Sequence, residues 1–415
     1  MSKYGNSDRD DPVPEERGSR FRLPVIAWLS VLFFAACTKM SPEDGVARHD
    51  GTLVRLTVSL PQPALPTKGA RAGGLSGDAE NRIEDVMILV LEQENGKYVY
   101  RYMTEGERLE STGNSAQFQA KLLSTTKPVK LMLAGNYGDA FAAYAPSPGR
   151  SEAEVKAGIG CSFTGAARSL PMYGEIAVPS GLEADRENRF SVKMLRAVAR
   201  IDVEKDLTAD SRSLRIESVR LYRPNDKIQL APDEFFASES PRVTVPSVFA
   251  GAVKSQSPVV TETSEPDPVS VAGIYVPEAD EVADAAARLT DATCIVVGGY
   301  YDGQSQPTYY RVDFDPGLEG HPFGQILRNH RYVFRIRKVT GPGWSDPGLA
   351  AVNKATSIVA EIEPWEDFTT EMHFEGDNYI GLSSRSVTLG YPAGKTDTVD
   401  VQATVPYAIQ WLDAS

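Results

Sequence analysis

Hydrophobic and polar positions alternate with a period of two over much of the chain. The clearest early case is residues 52–60, T-L-V-R-L-T-V-S-L. Val54, Leu56, Val58 and Leu60 fall on one face, and Leu53, Arg55, Thr57 and Ser59 on the other. That is the signature of a strand with one buried side. Pro61, Pro63 and Pro66 follow, and proline has no N–H to give to a ladder, so pairing stops there. The chain then runs on, extended and exposed, to Lys68-Gly69-Ala70-Arg71-Ala72. One reading is an ordinary first strand with a proline-rich loop behind it. The other is a detachable edge: a strand held by side-chain burial, on a leash that a trypsin-like protease can cut.

Downstream, Val86–Leu91 is continuously apolar and predicts an interior strand covered on both faces. Glu94-Asn95-Gly96-Lys97 predicts a turn, with Tyr98–Met103 returning as a hairpin. Residues 115–123 and 129–134 are further strands, 152–158 a short helix, and Cys161 a buried free thiol in a loop. Phe190–Val203 reads as one strong strand. Phe190, Val192, Met194 and Val198 share a face, and the apolar phase shifts after Ala199 to Ile201 and Val203. Such a shift implies a bulge or a change of sheet, and marks where the chain passes to a second sandwich. Residues 214–222, 331–339 and 357–362 alternate as strands, and a hairpin is predicted for 294–301 and 309–314 around Asp302-Gly303. Residues 223–278 read as loops with short strands, and the Ala-rich 279–289 as a short helix. The fold class is therefore all-β, as two sandwiches over residues 50–205 and 206–375, without a tandem repeat. A short β tail, 376–415, carries strands at 387–390 and 398–405 around Pro392-Ala393-Gly394. So few strands cannot bury a core alone. The tail must pack on the second domain, pair with another molecule, or open a third domain, and Tyr391, Tyr407 and Trp411 suit such packing.

Composition narrows the function. The 415 residues are 24% charged and 41% hydrophobic, as in globular proteins. A net charge of -13 argues against nucleic acid as a partner. Three cysteines do not make a disulfide framework. Arg17, Arg20 and Arg22 precede the apolar run Leu23–Ala36, which is too short for a comfortable bilayer span and fits the core of a signal peptide, residues 1–36. The run ends Leu32-Phe33-Phe34-Ala35-Ala36-Cys37, small residues directly before a cysteine. Residues 37–49 are a polar tether.

Catalytic and metal-binding patterns do not emerge, and no cofactor is implied. His49, His321, His330 and His373 are not at metal spacing. No nucleophile elbow, P-loop or dinucleotide fingerprint occurs. Asp313-Phe314-Asp315 near Glu319 fails the calcium-loop pattern. Glu361 and Glu363 share a strand face and read as solvated surface, with a glycosidase pair as the alternative. Tyr300, Tyr301, Tyr309 and Tyr310 read as cross-strand packing, with a sugar-stacking platform as the alternative.

Several of these segments resemble the fimbrillin (FimA/Mfa-like) family of Bacteroidales. The residues that carry the resemblance are Cys37 in a lipobox-like setting, the first strand with Lys68-Gly69-Ala70-Arg71 behind it, and Met194-Leu195-Arg196-Ala197-Val198-Ala199-Arg200-Ile201. To these are added the 295–301/308–310 hairpin, Ile326-Leu327-Arg328-Asn329-His330-Arg331-Tyr332 with Thr340-Gly341-Pro342-Gly343, and Glu363-Pro364-Trp365. The tail resembles the opening strands of a BACON-type domain. The resemblance implies two tandem transthyretin-like, Greek-key sandwiches, a lipid on Cys37, and residence in the outer membrane and fimbrium. It implies a cut between Arg71 and Ala72, with Arg82 as a second candidate. Loss of the strand bearing Val54, Leu56, Val58 and Leu60 would then open a groove. A strand of a neighbouring subunit, such as residues 398–405, would fill it head to tail. The reading is a structural or minor fimbrial subunit serving adhesion. Its alternative is a non-polymerising surface lipoprotein adhesin or fimbrial tip that binds a glycan or host protein. A hydrolase on the same scaffold is the third.

Overall fold

Where the sequence alternates, the chain pairs. The computed structural model describes residues 51–60, 80–365, 371–375, 378–382 and 401–403, apart from 113, 143, 166–168, 185, 207–212, 239–240, 264–269 and 318–320. The chain is all-β. In its first part are β1 (Thr52–Ser59), β2 (Val86–Glu94), β3 (Lys97–Glu105), β4 (Glu107–Thr112), β5 (Ser115–Leu122) and β6 (Val129–Gly135). Helix α1 (Glu152–Gly158) follows, then β7 (Gly160–Ser162), β8 (Met172–Val178), β9 (Asn188–Lys193) and β10 (Leu195–Arg196). These form one sheet in the order β4-β5-β1-β9 and a second in the order β10-β8-β6-β2-β3. Their inner faces share one hydrophobic core, from Val54 to Val198, which Ile228, Leu230, Ala231 and Tyr275 from later in the chain complete.

The second part contains β11 (Ala199–Lys205), β12 (Leu214–Tyr222), β13 (Lys227–Gln229), β14 (Val259–Glu262) and β15 (Ser270–Val276). It continues with α2 (Arg288–Asp291), β16 (Cys294–Tyr301), β17 (Thr308–Asp313), β18 (Arg331–Val339), α3 (Pro347–Val352) and β19 (Ile358–Trp365). Sheets β15-β11-β18-β19 and β14-β12-β16-β17 enclose a second core, from Ala199 to Ile362. The β7–β13 pair ties the two parts together. The tail forms a sheet of its own from β20 (Glu371–Glu375), β21 (Asn378–Leu382) and β22 (Val401–Ala403). Its β20–β21 hairpin runs across the expected division after residue 375.

The two parts repeat one arrangement. Strand β1 lies between β5, antiparallel, and β9, parallel. Strand β11 likewise lies between β15, antiparallel, and β18, parallel. In the opposite sheets β2 lies between β3 and β6, and β12 between β14 and β16, all antiparallel.

Local chemistry accounts for several elements directly. Asn95 and Gly96 adopt φ of 50° and 79°, the left-handed pair that a tight hairpin needs, and Asp302 and Gly303 repeat this at 46° and 69°. Helix α1 starts at a capping box: the Ser151 hydroxyl accepts from Glu154 N–H, and the Glu154 carboxylate accepts from Ser151 N–H at 2.9 Å. Strand β2 is buried on both faces from Val86 to Leu91, as its apolar run requires.

Other expectations are corrected. The first strand is not an edge but lies inside its sheet, paired on both sides. Phe190–Val203 is not one strand: it breaks into β9, which pairs with β1; β10, which pairs with β8 in the other sheet of the same core; and β11, because Val198 packs into the first core and Ala199 into the second. The change of core thus precedes residue 205. The Ala-rich segment does not form the expected helix: Ala279 bridges Ile326 and Val282 N–H bonds to Phe323 O at 2.9 Å, which pairs its first part, and the chain then turns at 285–287 into the single turn α2. Tertiary pairing overrides helix propensity there. Cys161 lies on a short strand, not in a loop.

Candidate functional site

Strand β1 and its slot form the candidate site. Val54, Leu56, Val58 and Leu60 are 0%, 0%, 0% and 1% exposed, all inside the first core. Burying four such side chains contributes roughly 6–12 kcal/mol, as an upper bound. That is comparable with the whole stability of a domain, about 5–15 kcal/mol. The ladder with β5 runs in unbroken register from Thr52↔Leu122 to Ser59↔Ser115, and that with β9 from Val54↔Asn188 to Ser59↔Lys193.

Both ends of the strand are fastened. At the start, the Thr52 hydroxyl donates to Glu183 O at 2.6 Å and accepts from Asn188 Nδ2 at 3.1 Å. Gly51 is required beside it, since a Cβ there would sit 1.9 Å from Leu122 O. At the far end, Met194 N–H bonds to Ser59 O at 2.9 Å, and Asn114 Nδ2 donates to Leu60 O at 2.9 Å. No inward-facing group on β1 is charged. Arg55, on the outer face, lies 3.0 Å from the Glu187 carboxylate.

Strand β11, the counterpart of β1, is held differently. Its Asp202 carboxylate is fully buried and accepts from Arg200 Nε at 2.9 Å, Arg331 Nε at 2.6 Å and Gly273 N–H at 2.7 Å. Burial by itself would raise its pKa, but the Arg331 and Arg200 guanidiniums outweigh that and hold it at about 2. Nearby, Arg328 Nε donates to Glu278 Oε2 at 2.9 Å, and its two amino groups donate to Leu230 O and Gln229 O at 2.7 Å each. The Arg328–Arg331 segment is thus a buried polar hub between the two cores. Sequence reading singled out this motif by resemblance and assigned it no physical role. The available signal was charge inside otherwise apolar strands, at Arg196, Arg200, Asp202 and Arg331, and in the turn before β18, at Arg328.

The remaining sequence candidates are placed as follows. Cys37, Arg71 and Ala72 lie outside the described residues, as do 387–390 and most of 398–405. Residues 401–403 pair with β21. The tyrosines divide between two faces. Tyr310 is buried and donates to Gly341 O at 2.9 Å, while Tyr309 covers Gly298, whose Cβ would sit 2.8 Å from its ring. Arg215 and Arg220 stack on Tyr300 and Tyr309, at 4.3 and 5.2 Å from the ring centroids. This is cross-strand packing rather than an open platform. Glu361 is engaged by Arg337 at 2.8 and 2.9 Å. Burial pushes the Cys161 thiol up to about 12 and the Cys294 thiol to about 11, so neither supplies a thiolate nucleophile near neutral pH. Among the described residues no group of three or more His, Cys, Asp or Glu could hold a metal ion.

No protein-family model matches the chain, and no curated protein does. Solved structures do. The tip fimbrial protein Mfa3 from Porphyromonas gingivalis, with a C-terminal truncation, is 14% identical over 76% of this chain and 99% of its own, with a TM-score of 0.44. A fimbrial assembly protein from Parabacteroides distasonis is 13% identical over 69% of this chain and 91% of its own, with a TM-score of 0.40. A third, from the same organism and provisionally named a cell adhesion protein, is 13% identical over 76% of this chain and 98% of its own, with a TM-score of 0.48. The solved structures that this all-β chain is similar to thus include fimbrial and provisionally named adhesion proteins of Bacteroidales.

Proposed function

We propose that the chain is a structural or minor subunit of cell-surface fimbriae, anchored through a lipid on Cys37 and assembled by exchange of β1 after proteolysis. The observation that carries this reading is the contrast between β1 and β11. Both occupy the same interior place in equivalent sheets and both bury apolar side chains, yet β1 carries no buried charge, whereas β11 adds a buried ion network to its buried Ile201 and Val203. Any strand of the same alternation satisfies the first kind of slot, whereas the second kind requires particular charges. An interior position suits exchange. Removal of an edge strand would expose one ladder, whereas removal of β1 exposes two, on β5 and β9, at either side of an apolar floor. The occupant runs antiparallel to β5 and parallel to β9, as β1 does. Residues 398–405 of a neighbouring copy are the candidate donor, after release of 401–403 from β21.

The test is to treat the purified precursor with an arginine-specific protease. It should lose the segment before Ala72 and become able to polymerise; a cut elsewhere without assembly overturns the reading. The unbroken double ladder on β1 favours a second reading, in which the strand is never released and the chain is a surface lipoprotein adhesin or fimbrial tip that binds a glycan or host protein. Arg71→Ala separates the two: it should abolish incorporation into fimbriae under the first reading and leave binding unaffected under the second.

A further inference from the structure

Behind the proline-rich segment, Glu80 and Asn81 are buried, 5% and 7% exposed. Both carboxylate oxygens of Glu80 lie 2.9 Å from Arg200 Nη1, and one also accepts the Tyr275 hydroxyl. The Glu80 carbonyl accepts from Arg196 Nε at 3.4 Å, and Asn81 Oδ1 accepts from Arg196 Nη2. Arg196 also reaches Asn329 Oδ1 at 3.1 Å. These partners come from β10, β11, β15 and the segment before β18, so the two residues are gripped by elements of both cores.

The grip extends to the next peptide. The Arg82 carbonyl accepts from Asn136 Nδ2 at 2.8 Å. That amide is itself fixed, donating to Leu170 O at 2.9 Å and accepting from Glu84 N–H at 2.8 Å. Ile83 is 1% exposed and part of the first core. Of residues 80–83 only Arg82 faces solvent, its side chain 54% exposed beside Glu84.

An endoprotease reads its target as an extended strand and places the scissile carbonyl among its own donors. At Arg82–Ile83 the two preceding residues are clamped, the carbonyl is already bonded and the following side chain is in the core. We propose that Glu80 and Asn81 are a docking point kept by the mature subunit, and that the Arg82–Ile83 bond is closed to proteolysis in the native chain. Any processing then falls before Glu80. The inference rests on the processing reading above and decides between its two arginines. A cut after Arg82 would remove the carboxylate and amide from a buried pair of arginines, which is costly. A cut before Glu80 parts the tether of β1 and leaves the junction intact.

Arg71 and Arg82 are the only arginines between residues 61 and 82, so Arg71→Ala isolates the second bond. With an arginine-specific endoprotease, native Arg71→Ala should give a product starting at Ile83 at least about tenfold more slowly than the same chain in urea. Equal rates overturn the inference. Adding Glu80→Ala, or the milder Asn81→Ala, should accelerate that cut at least about tenfold while the thermal transition stays cooperative. A folded double variant that resists as before overturns the role of the clamp. In the unsubstituted chain, a new N-terminus between residues 61 and 80 sustains both proposals. One at Ile83 overturns this inference alone. No cut at either arginine counts against processing and sustains the closure of Arg82–Ile83.

Discussion

His330 sits in the buried hub with its ring stacked near Tyr332, at 6.3 Å between centroids, and its Nδ1 2.9 Å from Arg328 O. Burial disfavours the charged ring and brings its pKa down to about 4. The unfolded chain takes up this proton below about 6.5, and the folded chain only near 4. Stability from this residue is therefore full above pH 6.5, falls as pH drops toward 4, and is level below that, a loss of about 3 kcal/mol in all. Denaturant titrations at pH 7 and 4.5 should show His330→Asn losing less stability between them than the parent chain. An equal loss would remove the assignment. Asp202 has the depressed kind of carboxylate, so its contribution persists until pH falls from 3.8 toward about 2, outside that window. In the sequence His330 lacks metal spacing and stands in a motif noted only by resemblance; neither observation speaks of burial, since burial is a property of neighbours.

At the scale of the element, β1 was readable because one face of a strand must be apolar when only one face is buried. Its burial alternates as its sequence does. Leu56→Ala should therefore cost about 2–5 kcal/mol, and Leu53→Ala, whose side chain is on the outer face, less than about 1 kcal/mol. Equal shifts in denaturation midpoint would show that the strand does not carry the core. Alternation could not show that β1 has two neighbours, because a strand inside a sheet and a strand at its edge present the same side-chain pattern; they differ in backbone bonds. The same limit hid the break between β9 and β11. The apolar phase shift after Ala199 was visible, but the two cores it serves were not. In the Ala-rich 279–289 the error ran the other way. Local propensity favoured helix, and pairing with the 323–326 segment decided otherwise.

Across the whole molecule, one arrangement of strands is used twice with different fastenings. The connection from β1 to β2 spans residues 60–85, and that from β11 to β12 only 206–213. If β1 departs after cleavage, amides of β5 and β9 should exchange with solvent much faster than before, while those of β15 and β18 keep their protection, because β11 remains in place. Exchange that rises equally in both pairs would mean that the two cores unfold as one. What the amino-acid order settled alone was the all-β class, the hairpins at Asn95-Gly96 and Asp302-Gly303, helix α1, and which face of the first strand is apolar. Each of these follows from steric and solvation preferences acting over a few residues. Only the folded chain decided that β1 is interior, that its twin is β11, and that Glu80, Asp202 and the 328–331 segment bind the two cores. Those facts depend on which distant groups meet in a medium where an unpaired charge is costly.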